Sequence, residues 1–188
     1  MFCHNAVALS HFYAENTVKK GGVCIDATAG NGNDTAFLAR LVGEEGMVYA
    51  FDVQQAAIDA TRARLEEQDL LGRVRLILDS HANAAAYIEG PVDLMMFNLG
   101  RLPGSDHAVY TEAQSTIAAI EVGLTLLRPG GLICLSAYWG DPVCLAEYRA
   151  VAAYIAAIPP RRAEALFHEF VNEPNCPPAF FALCRAEG

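Results

Sequence analysis

The chain has 188 residues, 53% of them apolar and 19% charged, which fits one globular domain with a substantial core and excludes a disordered chain. Its formal net charge of -9 argues against sequence-independent binding to nucleic acid, a mode that depends on cations neutralising phosphates. No apolar run approaches the roughly 20 residues that span a bilayer, and no basic stretch followed by a long apolar one opens the chain, so a cytoplasmic protein without a secretion signal or membrane contact is expected.

The six cysteines form no Cys-x-x-Cys pair and no His/Cys cluster at zinc spacing, so no metal site is expected. Cys24 and Cys134 lie in apolar runs and read as buried thiols. Lys19-Lys20, Arg101, Arg161-Arg162 and Arg185 are the candidates for a local basic patch that grips one RNA. Each is otherwise a solvated surface charge, and charge alone favours a small-molecule substrate.

Strand-like and helix-like stretches alternate along the chain, which points to an α/β fold with a largely parallel sheet. Val23 to Ala27 reads as a short strand, followed by a turn and a helix over Asp34 to Leu41 that Gly43-Glu44-Glu45-Gly46 closes. Met47 to Asp52 is the second strand. Ala56 to Gln68 carries Ala57, Ile58, Thr61 and Leu65 at helical spacing. Val74 to Leu78 is the third strand, Asn83 to Ile88 a short helical segment, and Val92 to Phe97 the fourth strand. A helix from Thr111 to Leu127 should end at the turn Arg128-Pro129-Gly130-Gly131. Leu132 to Ala137 is the fifth strand and Val143 to Ile158 the next helix, stopped by Pro159-Pro160. Ala163 to Phe170 and Ala179 to Arg185 have no helix between them and should pair antiparallel. The expected architecture is a Rossmann-like, seven-stranded, mostly parallel sheet with an antiparallel C-terminal hairpin. It should form a single domain over residues 1–188.

The chemistry concentrates after the first strand, in Asp26-Ala27-Thr28-Ala29-Gly30-Asn31-Gly32-Asn33-Asp34-Thr35. Gly30 and Gly32 permit close backbone approach, and the following helix start offers amide donors to an anionic group. A dinucleotide loop would have a third glycine where Thr35 stands. An acidic residue four positions before Gly30, with Asp52 at the end of the second strand, is instead the arrangement of S-adenosyl-L-methionine-dependent methyltransferases. Asp52, with Val53 and Gln54 behind it, is placed to receive the ribose hydroxyls. Asp79-Ser80-His81 after the third strand is placed beside the adenine, His81 being otherwise a cap or a surface histidine. The helix start would receive the methionine carboxylate.

The acceptor side follows the fourth strand: Asn98-Leu99-Gly100-Arg101-Leu102-Pro103-Gly104-Ser105-Asp106-His107. An Asn there can accept a hydrogen bond from an amine and aim its lone pair at the methyl group; its plain alternative is a turn former at a strand end. Asp106, His107 or Tyr138 could help the ammonium lose its proton, Asp106 being also a turn and helix cap. Tyr138 and Trp139 could stack on a base. Trp139 could equally be packing, and Asn172, Asn175 and Pro177-Pro178 are either a pocket wall or a hairpin loop.

Three motifs now resemble one family over nearly the whole chain: Asp-Ala-Thr-Ala-Gly-Asn-Gly-Asn-Asp-Thr at 26 to 35, Asn-Leu-Gly-x-Leu-Pro-Gly-x-Asp at 98 to 106, and Asn-x-x-Asn-x-Pro-Pro at 172 to 178. They are similar to the YtqB/MnmM family. The resemblance implies methylation of the aminomethyl group on the tRNA wobble uridine to 5-methylaminomethyl-(2-thio)uridine, with the tRNA anticodon stem-loop as partner. His11 fits a family feature near the substrate side, a helix-surface histidine being the alternative. The chain departs from the family pattern at Arg101 (usually Tyr), Ser105 (usually Gly) and Asp141 (in a segment that often holds Gly-His). A ribosomal RNA or small-molecule amine methyltransferase with the same cofactor site is the competing expectation, as is a cofactor-binding protein without turnover. A homodimer is compatible with the small size.

Overall fold

The computed structural model describes residues 5–100, 111–173 and 178–187. Its strands are Val23–Asp26 (β1), Met47–Asp52 (β2), Val74–Leu78 (β3), Val92–Asn98 (β4), Leu127–Ala137 (β5), Ala163–His168 (β6) and Ala179–Arg185 (β7). The helices are Ala6–Thr17 (α1), Asn33–Val42 (α2), Gln55–Glu67 (α3), Ala113–Leu126 (α4) and Pro142–Ala156 (α5), with 3-10 turns at Leu71–Arg73 and His81–Ala86. The strands form one sheet in the order β3-β2-β1-β4-β5-β7-β6. β1 to β5 pair in parallel and β7 runs antiparallel to both neighbours, as the expected hairpin requires. The strand order reverses between β1 and β4, and open α/β sheets bind ligands at the carboxyl ends beside such a switch point.

Alternation along the strands divides the core into two layers. Cys24, Leu94, Met96, Cys134, Phe180 and Ala182 face α1, α2 and α3. Their neighbours Ile25, Met95, Phe97, Ile133, Leu135, Phe181 and Leu183 face the other way, against α4 and α5. These strand residues are almost fully buried, which is why they read as near-continuous apolar runs.

The structure adds α1, which the sequence pattern does not mark. Asn5 caps it, its Oδ1 accepting from Ala8 N at 2.8 Å. Ala6, Leu9, Ser10 and Ala14 are its buried residues; the buried serine and the small alanines blur the apolar stripe that would have announced a helix. The Arg128-Pro129-Gly130-Gly131 turn also differs from expectation, because it lies within β5. Val92 pairs with Leu127 and Leu94 with Leu132, so the extra residues form a bulge, with Gly130 at φ +72°. Arg128 Nε donates to Asp93 Oδ1 at 2.6 Å and Val23 N to Asp93 Oδ2 at 2.8 Å, pinning that bulge to β4 and β1. The helical segment expected over Asn83 to Ile88 is a 3-10 turn that starts two residues earlier, at His81, and is capped by Ser80.

Among the described residues no helix is long and apolar enough to cross a membrane, and no cluster of His, Cys, Asp and Glu could hold a metal ion. Cys24, Cys134, Cys144 and Cys184 carry free thiols, and burial pushes those of Cys24 and Cys134 far up.

Candidate cofactor and acceptor site

Asp26 ends β1 almost completely buried. Its Oδ1 accepts from Thr28 N at 3.1 Å and its Oδ2 from the Thr35 hydroxyl at 2.5 Å, so the carboxyl bridges the loop and the first turn of α2. Burial pushes its pKa up to about 7, with the charges of Asp34 and Asp52 adding to the rise. The loop continues the sheet ladder, Ala27 N donating to Met96 O and Ala29 N to Phe51 O. Gly30 and Gly32 have φ of +53° and +76°. Gly32 precedes α2 with no side-chain cap, which leaves the first amides of that helix for an anion.

The side of α3 braces this loop. Thr61 donates its hydroxyl to Gly30 O at 3.0 Å and Arg64 Nε donates to Asn31 O at 2.6 Å. Sequence reasoning took Thr61 as one of the helix's inward positions and passed over Arg64. The available signal was a hydroxyl on an otherwise apolar helical face.

Asp52 closes β2 with both oxygens engaged by backbone, Gly30 N on Oδ2 at 3.0 Å and Gln54 N on Oδ1 at 2.9 Å. Each oxygen keeps a further lone pair for a ribose hydroxyl. Beside it Val53 is 59% exposed, an apolar side chain at the rim of the site. Asp79 is more heavily used: Oδ1 accepts from Ser80 N and Asn83 Nδ2, and Oδ2 from the Tyr87 hydroxyl. The Tyr87 bond, followed by those of Asn83 and Ser80, holds its carboxyl below the usual range. His81 is buried, and its Nδ1 lies 2.8 Å from Ala27 O. A carbonyl only accepts, so Nδ1 carries the hydrogen and Nε2 presents a lone pair. Burial lowers the His81 pKa, keeping the ring neutral, and Nε2 has no partner among the described residues.

Asn98 ends β4 next to this loop. Its backbone N–H donates to the Thr28 hydroxyl at 2.8 Å, and the buried Leu99 donates its own to Ser136 O on β5 at 2.9 Å. Asn98 Oδ1 is buried without a hydrogen-bond partner among the described residues. Consecutive loop residues thus hold the His81 ring, through Ala27 O, and the Asn98 backbone, through the Thr28 hydroxyl. His11 on α1 donates from Nε2 to Asp34 Oδ1 at 2.9 Å and stacks on Phe37 with centroids 3.7 Å apart. Tyr138, 43% exposed after β5, lies against Gly100. Burial, then the charge of Asp34, raises the Tyr138 hydroxyl pKa.

The remaining candidates separate. Trp139 lines a recess with Tyr148, Phe167, Phe170 and Pro178, and Asn172 is exposed in the turn beyond β6. Asp141 is the N-cap of α5, its Oδ1 accepting from Val143 N and Cys144 N. Arg101, Pro103, Gly104, Asp106, His107 and Asn175 lie outside the described residues. Of the basic candidates, Arg162 pairs with Glu121, Arg185 donates to the carbonyls of Thr125 and Leu127, and Lys20 donates to Arg40 O.

An uncapped helix start, a backbone-held carboxylate at the end of β2 and two buried polar atoms without a partner among the described residues fit S-adenosylmethionine with an acceptor beside it. Residues 48–184 match the family described as "Putative rRNA methylase". The chain is 32% identical over 192 residues to the chloroplastic tRNA (mnm(5)s(2)U34)-methyltransferase of Arabidopsis thaliana, covering 96% of this chain and 69% of that one. A Clostridium thermocellum protein solved under the same family description is 39% identical, with a TM-score of 0.96 over 98% of this chain and 100% of its own. A Streptococcus mutans protein solved in complex with SAH is 34% identical, with a TM-score of 0.88 over 96% of this chain and 98% of its own. The chain therefore belongs to this rRNA methylase family and is a class I S-adenosylmethionine-dependent methyltransferase.

Proposed function

We propose that this enzyme methylates an amine, the 5-aminomethyl group of the wobble uridine in a tRNA anticodon stem-loop, giving 5-methylaminomethyl-(2-thio)uridine. The observation that carries this reading is Asn98 Oδ1, a buried acceptor at the carboxyl end of β4 without a partner among the described residues. A buried amide oxygen left unpaired costs free energy, which a substrate N–H offsets. The Arabidopsis relative, a tRNA (mnm(5)s(2)U34)-methyltransferase, supports this choice of acceptor.

S-adenosylmethionine supplies an electrophilic sulfonium methyl when bound. Asp52 would hold the ribose hydroxyls, the start of α2 the methionine carboxylate, and the Asp79-Ser80-His81 segment the adenine edge. Asn98 would accept one N–H of the amine, turning the nitrogen lone pair toward the methyl for in-line displacement. The acceptor enters as an alkylammonium and must lose one proton before attack; the methylated nitrogen then sheds a second to solvent. Asp106 and Tyr138 are the proposed groups for holding the ammonium. His11, Arg101, Pro103, Gly104, His107, Trp139, Asn172 and Asn175 are proposed for the RNA side.

The family description favours a second reading, an rRNA acceptor with the same cofactor site. Incubating the protein and S-adenosylmethionine with tRNA that lacks only the terminal wobble methyl and, separately, with unmodified rRNA, then analysing nucleosides by mass spectrometry, separates the two. Conversion of the aminomethyl nucleoside supports the tRNA reading. Methylation of rRNA alone, with cofactor binding intact, replaces it with the second.

A further inference from the structure

Glu147 on α5 is a buried carboxylate, 6% exposed, with no basic partner among the described residues. Two threonine hydroxyls satisfy it instead: Thr111 donates to Oε2 at 2.6 Å and Thr116 to Oε1 at 2.9 Å. Thr111 also accepts the backbone N–H of Gly100 at 3.0 Å, and its own N–H returns to Gly100 O at 3.0 Å. A hydroxyl has a single proton, and the Glu147 carboxylate takes it. Its lone pairs are therefore directed at Gly100 N.

The consequence runs back along β4. Three successive amides are held from three parts of the fold: Asn98 N by the Thr28 hydroxyl, Leu99 N by Ser136 O, and Gly100 N by Thr111. Gly100 has φ +136°, a conformation that favours glycine, and it lies beside the Tyr138 ring. A charge kept out of water without a counter-ion costs stability; burial accordingly raises the Glu147 pKa.

We propose that Glu147 is a positioning residue for methyl transfer, acting through Thr111 on the backbone that carries Asn98. This rests on the reading of Asn98 as the acceptor-facing group. The test compares Thr111→Val and Glu147→Met, which remove the clamp, with Thr111→Ser and Glu147→Gln, which retain a hydroxyl and an acceptor. In the full chain, kcat on tRNA lacking the wobble methyl should fall about ten-fold or more in the first pair. S-adenosylmethionine affinity by calorimetry should hold, and the second pair should retain the rate. The Gly100 amide should exchange with solvent faster in Thr111→Val and Glu147→Met only. An unchanged kcat in the first pair, an equal loss in the second, or a loss of cofactor affinity matching the loss of kcat would overturn the proposal. If the wild type turns over no tRNA, the acceptor reading fails by itself and the exchange measurement decides the clamp. Unaltered protection of Gly100 overturns it; selective loss supports it.

Discussion

The backbone N–H of Gly30 donates to Asp52 Oδ2 at 3.0 Å, so the loop after β1 and the end of β2 are fixed to each other before any ligand arrives. One carboxylate thereby shapes the glycine loop and keeps a further lone pair on each oxygen. Asp52→Ala leaves the amides of Gly30 and Gln54 without acceptors. With hydrogen bonds to charged groups worth about 1.5–3 kcal/mol, S-adenosylmethionine affinity should drop by about ten- to hundred-fold. Isothermal titration checks this, and an unchanged dissociation constant would remove Asp52 from the cofactor site.

Gly32 has φ +76°, and a Cβ at this position would lie 3.0 Å from both Cα and Cγ2 of Thr61. Gly32→Ala therefore combines left-handed strain of about 1–2 kcal/mol with a steric push on α3. The variant should melt lower than wild type and bind S-adenosylmethionine more weakly. A normal melting curve with normal affinity would show that the loop relaxes without consequence.

Asp26 links stability to pH. Its folded pKa of about 7 exceeds the ordinary 3.8, so between these values the folded state holds a proton that the unfolded state has lost. Stability from this group is therefore fully present below about pH 4 and declines as pH rises to about 7, at up to about 1.4 kcal/mol per pH unit. Asp26→Asn lacks the titration, so its melting temperature should gain on wild type as pH goes from 5 to 8. A difference between the two proteins that stays flat across this range would contradict the assignment.

Asn98→Ala removes the buried Oδ1, unpartnered among the described residues, without touching the backbone bonds of residues 98 and 99. By analogy with the loss of one oriented polar group in an active site, kcat should fall by about a hundred-fold. Cofactor affinity should stay close to wild type. Single-turnover methylation with saturating S-adenosylmethionine separates these effects, and full activity in the variant would exclude Asn98 from the chemistry.

Much of the sheet was legible from local signals. Continuous apolar runs marked strands buried on both faces, and the pattern of Ala57, Ile58, Thr61 and Leu65 marked α3, all four being buried. The missed element, α1, carries alanines and a buried Ser10 on its inward face, so its burial depends on the sheet surface it meets rather than on its own periodicity. The Pro-Gly-Gly turn was misplaced for a related reason. Proline and glycine announce an interruption, but whether that interruption ends a strand or bulges within it was settled by Asp93, which holds Arg128 and Val23 together.

The sequence by itself determined the order of elements, the glycine loop after β1 and the acids at the ends of β1, β2 and β3, because each is encoded within a few neighbouring residues. Only the tertiary structure decided how those groups are spent. Asp79 gives its carboxylate to Ser80, Asn83 and Tyr87, while Asp52 accepts one backbone N–H on each oxygen and keeps further lone pairs. It also decided that Thr28, Ser136 and Thr111, far apart in the chain, secure three consecutive amides at Asn98, Leu99 and Gly100. The physical reason is that a buried amide needs an acceptor, and only the packed fold determines which distant group supplies it.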